Sequence, residues 1–289
     1  MAVNLGSSNI SAVKLGATDV SKIYLGSDIV FGGAAPYVPF LENLTASPDF
    51  AWSVWQPHSS VTNCVRLRRS SDFAELDFGY VNGYVDTSSI TSWGGADTLY
   101  IVTFYSYLTD ATELTIENQA IWKNSGGLNN LAGFDRAPLS PANTQCYSLD
   151  ANVTTINDYT LFFGENKLGT TPSNTNYIFS TTLRARGYLY NPGSSIGSRP
   201  NTGVVIGVNF LGENVIELNR LSNDISYYQN NSYVDQGVNS DTTSIRYLFG
   251  STEDNPPLVS ELLFFKSSLS TADRSQYYTD YNSRYNKTV

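Results

Sequence analysis

Apolar and polar residues alternate with a period of two along most of this chain, and with a helical period only at its C-terminal end. The apolar run at residues 259–265, Val-Ser-Glu-Leu-Leu-Phe-Phe, is set off by Pro256-Pro257 and predicts a strand. Ser270-Thr271-Ala272-Asp273 then has the form of a helix start. The Ser270 hydroxyl is placed to accept the third-residue N–H, and Asp273 is placed to reach back to the cap. Tyr277, Tyr281 and Tyr285 follow at four-residue spacing with Tyr278 beside them. At roughly 100° per residue they make a stripe about 100° wide, enough to dock one helix face on a sheet.

The N-terminal stretch repeats. Val3-Asn4-Leu5-Gly6, Val13-Lys14-Leu15-Gly16 and Ile23-Tyr24-Leu25-Gly26 each run into a turn and then Ile10, Val20 or Ile29. The pattern predicts a small β-meander of about four short strands. Alternation places Val3, Leu5, Val13, Leu15, Ile23 and Leu25 on one apolar face, with Asn4, Lys14 and Tyr24 on the other. So short a segment does not bury that face alone, so the face needs the rest of the chain, a second copy or another protein. Gly32-Gly33-Ala34-Ala35-Pro36 is a small-residue linker. It divides an attachment or oligomerisation module, residues 1–35, from one large domain, residues 36–289.

In the large domain, Val65 and Leu67 alternate with Arg66 and Arg68, Ser70-Ser71-Asp72 turns the chain, and Leu76 and Phe78 begin the return strand. That hairpin sets Arg66, Arg68 and Arg69 near Asp72, Glu75 and Asp77. Residues 225–229 and 232–234 make a second hairpin around Asn230-Asn231, both of which tolerate positive φ. Further strands are predicted at residues 159–163, 177–181, 187–190, 203–210 and 213–218. The fold class is therefore all-β with a short C-terminal helix.

Composition narrows the chemistry. Charged residues are 15% of 289, so neutral hydroxyl and amide groups dominate the surface, and the net charge of −9 argues against nucleic acid, which needs a basic footprint. No long apolar run predicts membrane insertion, and no basic-then-apolar start predicts a secretory signal. Two cysteines, Cys64 and Cys146, are too few for a disulfide framework or a zinc site. His58 is the sole histidine and no Gly-x-Ser-x-Gly elbow occurs, which argues against a Ser-His-Asp triad. Asp and Asn at residues 150–158, 235–241 and 254–255 offer oxygen donors of the kind calcium takes, but without ordered spacing, so no cofactor is expected. Glu165, Glu213, Glu217 and Glu261 are strand-borne carboxylates available for glycoside chemistry. Trp93, Trp122 and Trp55 are the candidate platforms for a sugar ring, Trp93 foremost because Gly94-Gly95 follows it in what reads as a loop.

Several stretches resemble known families. Leu269-Ser270-Thr271-Ala272-Asp273-Arg274 and the preceding strand resemble the ending of concanavalin A-like (laminin-G-like) jelly rolls, which implies a jelly-roll β-sandwich. Cys64-Val65-Arg66-Leu67-Arg68-Arg69-Ser70-Ser71-Asp72 resembles a hairpin of α-L-arabinofuranosidase catalytic domains, with further similarity at residues 99–105 and 118–122. Where that family has Tyr-Asp-Gln-Ser-Gly-Asn, this chain reads Tyr105-Ser106-Tyr107-Leu108-Thr109-Asp110, and Gly164-Glu165-Asn166 is the nearest match to its nucleophile segment. The departure implies no glycosidase activity, so the chain is expected not to be an enzyme, with a glycoside hydrolase of arabinofuranosidase-like type as the alternative. The N-terminal repeat resembles short Leu-Gly modules at the ends of tailed-bacteriophage structural proteins. The resemblance implies a protein of the virion surface, in a tail fibre, spike or head decoration, displaying a lectin-like domain, with a purely structural decoration protein as a further alternative. Its partners would be other virion proteins, further copies of itself (a trimer is one option) and a host cell-surface glycan.

Overall fold

The computed structural model describes residues 37–113, 121–124, 127–133, 145–155, 158–167, 176–180, 188–191, 195–198, 204–206, 212–238, 243–251 and 258–285, together with short strands between residues 4 and 31. The chain divides into two compact units, Met1–Val38 and Pro39–Val289.

In the first unit each Leu-Gly repeat closes on itself. Asn4–Leu5 pairs with Ser8–Asn9, Lys14–Leu15 with Thr18–Asp19, and Ile23–Leu25 with Asp28–Phe31, all antiparallel. Three separate hairpins thus replace the expected four-strand meander. The register explains it: Leu5 opposes Ser8, Leu15 opposes Thr18 and Leu25 opposes Asp28. In the sequence two residues, the first of them Gly, separate the paired strands of each repeat. The side chains of Val3, Leu5, Val13, Leu15, Ile23 and Leu25 lie outside what is described.

The second unit is a concanavalin A-like jelly-roll β-sandwich. Its first sheet runs Phe50–Ser53, Leu258–Phe265, Tyr159–Lys167, Gly212–Leu221, Asp224–Gln229, Ser232–Val238, with antiparallel neighbours throughout. The opposing sheet runs Glu75–Val81, Asn63–Arg69, Leu99–Phe104, Ala111–Glu113, Gln145–Thr155, Thr243–Ser251, Asn176–Ser180. Trp52 meets Phe104 edge to face between them, with ring centroids 4.7 Å apart, and Phe104 meets Tyr147 likewise at 4.8 Å. Such pairs add to the area they bury.

The apolar runs of the first sheet have a physical reason: both of its faces are covered. Leu161, Phe163, Leu262 and Phe264 point into the sandwich. Phe162, Leu263 and Phe265 point the other way, against the terminal helix Thr271–Tyr285 and the short 3-10 helix Phe40–Asn43. The helix is capped as its sequence predicts, with the Asp273 N–H donating to Ser270 Oγ at 3.1 Å and the Ser270 hydroxyl donating to Asp273 at 2.8 Å. Tyr277, Tyr278 and Tyr281 are buried against the sheet. Gly164 permits the close approach: a Cβ there would lie 2.6 Å from Ser260 Oγ and 3.4 Å from the Tyr281 ring. A second helix, Thr87–Gly94, has no clear apolar period. Its only local signal is Asp86, whose side chain accepts from the Ser89 N–H at 3.0 Å. The Asn230-Asn231 hairpin forms as predicted, with φ of 50° and 61°.

Candidate functional site

Two of the carboxylates singled out from sequence are committed to the helix. Glu217 and Glu261 are both fully buried. Glu217 accepts from Arg274 Nε and Nη2 and from the Tyr278 hydroxyl at 3.0 Å. Glu261 accepts from Tyr277, Tyr285, Arg284 and Ser53. Burial pushes the Glu217 carboxyl above its usual range, against the pull of Arg274. These groups tie the helix to the sheet and face no open space. The side chains of Glu165 and Glu213 lie outside what is described.

The tryptophans are placed differently from one another. Trp122 is fully buried, so its ring has no face left for a sugar. It was a surface candidate because a strand's inward face is not legible from a single aromatic. Trp93 is not in a loop. It lies in the last turn of Thr87–Gly94, half-buried, with Phe78 edge-on at 5.5 Å and the Arg69 guanidinium 4.7 Å over its ring. Trp55, also half-buried, meets Tyr84 edge-on at 4.9 Å. The three do not share a surface groove.

A groove of about 480 Å³ does open elsewhere on the sandwich, lined by residues 60–63, residues 105–110 and Asp150. Its floor is rigid for local reasons. The Tyr105 N–H donates to the Cys64 carbonyl at 3.0 Å, the Tyr107 N–H to the Ala51 carbonyl at 2.9 Å, and the Ala51 N–H to Ser106 Oγ at 2.8 Å. The Tyr107 ring lies 4.5 Å from that of His58, whose Nδ1 accepts from the Ser60 N–H at 3.1 Å. The Tyr105 hydroxyl donates to Asp77 at 2.7 Å. Burial and that bond push Tyr105 up to about 12, so it remains a neutral phenol. Asp77 is held below the usual carboxylate range by its bonds from Arg66.

The groove also brings two carboxylates together. Ala111 opposes Leu149 in the ladder, so the next pair along is Asp110 and Asp150, and the Asp150 N–H donates to the Asp110 carbonyl at 3.0 Å. Directly opposed residues have Cβ atoms about 4.5–5.5 Å apart, and like charges so placed are destabilising. Asp110 is half-buried, Asp150 exposed. Burial pushes the Asp110 carboxyl above its usual range, the charge of Asp150 adds to the push, and the Ser106 N–H, 2.8 Å away, opposes it. Asp150 sits where the register with Thr243–Ser251 shifts between Ser148 and Val153, an irregularity of the kind that re-aims side chains. A carboxyl shifted toward its neutral form beside an exposed carboxyl is a pairing that acid–base chemistry can use. Among the described residues no three His, Cys, Asp or Glu side chains gather as a metal site would need. Asp110 was within sight as the end of the departing motif. Its pairing with Asp150 depends on register and was not.

Other solved proteins share this β-sandwich fold. A GH54 α-L-arabinofuranosidase soaked with 4-nitrophenyl α-L-arabinofuranoside matches with a TM-score of 0.60 at 13% identity. A GH54 α-L-arabinofuranosidase soaked with a cyclic sulfate inhibitor matches at 0.59 and 12%, and an arabinofuranosidase complexed with arabinofuranosyl-α-1,2-xylobiose at 0.54 and 11%. Each match covers 83% of this chain and 63% of the other, so this chain spans under two thirds of their length. At such identities the likeness is one of fold. No protein-family model matches the sequence, and no curated protein matches it significantly. The expectation that the chain is not an enzyme is corrected here. The three solved structures named above are arabinofuranosidases, and the altered motif at residues 105–110 lines a groove with two carboxylates.

Proposed function

We propose that this chain is a glycoside hydrolase acting on a neutral glycan, with Asp110 and Asp150 as its carboxylate pair. The observation that carries the reading is their cross-strand opposition in an open groove, with Asp110 held above the usual carboxylate range. Asp110, protonated, would give its proton to the glycosidic oxygen as the bond to the anomeric carbon breaks. The Asp150 carboxylate would attack that carbon, forming a glycosyl ester. Water then displaces Asp150, returning a proton to Asp110. Carboxyls about 5–5.5 Å apart suit this double displacement, whereas inverting enzymes need room for a water between them. The net charge of −9 favours neutral over anionic glycans.

Release of 4-nitrophenol from a panel of 4-nitrophenyl glycosides, beginning with the α-L-arabinofuranoside, tests this. Asp110→Asn and Asp150→Asn should each lower kcat/KM by about 10²–10⁴-fold. NMR titration of Asp110 in the Asp150→Asn protein should show its carboxyl titrating at lower pH than in the parent, because the neighbouring charge is gone. Release that both variants leave intact, or that only Glu165→Gln abolishes, would sink the assignment.

We infer further that residues 1–35 hold the sandwich on a larger particle, the surface of a tailed-bacteriophage virion facing a host-cell glycan. Supporting it is the hairpin repeat, whose apolar positions at Leu15 and Leu25 recur in register. Leu15→Asp with Leu25→Asp should abolish self-association in sedimentation, or incorporation into particles, without lowering the melting temperature of the sandwich. Unchanged assembly of the double variant would remove the attachment role.

A further inference from the structure

Leu108 stands at the groove with φ of 71° and 69% of its surface exposed. Left-handed backbone is disfavoured for a branched, bulky residue, and Gly or Asn is its ordinary occupant. Exposure removes the usual compensation, since this side chain gains little burial within the fold. The backbone on either side is nevertheless pinned. Tyr107 is bridged to Ala51, and the Asp110 carboxyl accepts from the Ser106 N–H, so the turn is anchored on both sides. What sets Leu108 apart is its place: a strained, apolar, outward-facing residue at the groove, within two residues of Asp110.

We propose that Leu108 is a specificity-determining contact, an apolar wall against which the C–H face of the bound sugar packs. The proposal rests on the groove being the glycan site. Around it the groove offers hydroxyls from Ser60, Thr62 and Tyr105 and the amide of Asn63 for sugar hydroxyls. Among the groove's lining, Leu108 is the aliphatic side chain exposed to solvent, whereas Val61 is buried. A sugar presents both kinds of surface, so an apolar wall beside polar partners fixes which face turns inward.

Asn tolerates the left-handed turn but cannot supply the wall; Met supplies it without branching. In the full chain, Leu108→Asn should melt at or above the parent, because backbone strain is relieved and no buried contact is lost. It should also weaken binding of 4-nitrophenyl α-L-arabinofuranoside about tenfold, through KM with kcat nearly unchanged, whereas Leu108→Met should bind within about twofold of the parent. Asp110→Asn is the control, losing kcat while retaining affinity. A Leu108→Asn protein that melts clearly below the parent would make Leu108 a fold contact and overturn the proposal. Affinity unchanged in Leu108→Asn, weakened equally in Leu108→Met, or undetectable in the parent for every glycoside of the panel would also overturn it. Binding that is weakened in Leu108→Asn, in a protein that never turns over, would instead uphold the wall and remove only the hydrolytic reading.

Discussion

Asp273 shows how much of the fold one side chain organises. Its carboxylate accepts from the Thr45 N–H at 2.7 Å, from the Thr45 hydroxyl at 2.8 Å and from the Ser270 hydroxyl at 2.8 Å. It thereby joins the first turn of the terminal helix to the segment leading into Phe50–Ser53. Burial opposes its ionisation, but the Thr45 and Ser270 donors outweigh burial and hold the carboxyl below its usual range. A depressed folded value means the stabilisation is present above the unfolded value, about 3.9, and is lost as pH falls through the folded one. Asp273→Ala should therefore destabilise the sandwich by about 2 kcal/mol at pH 7, and the gap to the parent should close below about pH 4. Urea midpoints across that range would check it; a gap constant from pH 7 to 2 would show that the charge is irrelevant. The cap was legible because Ser270 and Asp273 are three residues apart. Thr45 was not, because nothing local links it to the helix.

Among the elements, the terminal helix depends on pairs that its own sequence half reveals. The tyrosine stripe was readable from spacing, and Tyr277, Tyr278 and Tyr281 do face the sheet. The carboxylates waiting for them were readable only as strand residues of unknown purpose. Arg274 lies 3.9 Å over the Tyr228 ring while pairing with Glu217. Arg274→Met would leave Glu217 buried without its cation and should cost about 3–5 kcal/mol. Adding Glu217→Leu removes the stranded charge, so the double variant should recover most of that loss in denaturant unfolding. A double variant no more stable than Arg274→Met would mean that the charge was never the problem. The helix Thr87–Gly94 shows the opposite case. Its Thr, Ser and Gly composition has weak helical propensity, and packing of Ile90 and Trp93 on the core supplies what the local sequence lacks.

For the whole molecule, position in the sandwich sets what a residue does more than its type. Glu217 and Glu261, singled out from sequence as strand carboxylates, lie beneath a helix, while Asp110 and Asp150, which were not among those candidates, open to a groove. The groove draws on three segments, near residues 60, 105 and 150, that meet only because the strands stack in one order. There the ladder sets two carboxyl groups, Asp110 and Asp150, opposite each other. Like charges placed directly opposite each other are destabilising in general.

The amino-acid sequence by itself determined the all-β class, the hairpins at residues 65–78 and 225–234, and the capped, tyrosine-faced helix, whereas the Leu-Gly repeats read as a meander and paired as separate hairpins. These follow from alternation, turn residues and capping, which act over a few residues and survive without knowledge of partners. Tertiary structure alone decided that Trp122 is core, that Glu217 and Glu261 serve the helix, and that Asp110 faces Asp150. Each of those outcomes depends on which face of a strand is covered and on a register between segments distant in the chain, and a one-residue slip would reverse every one of them.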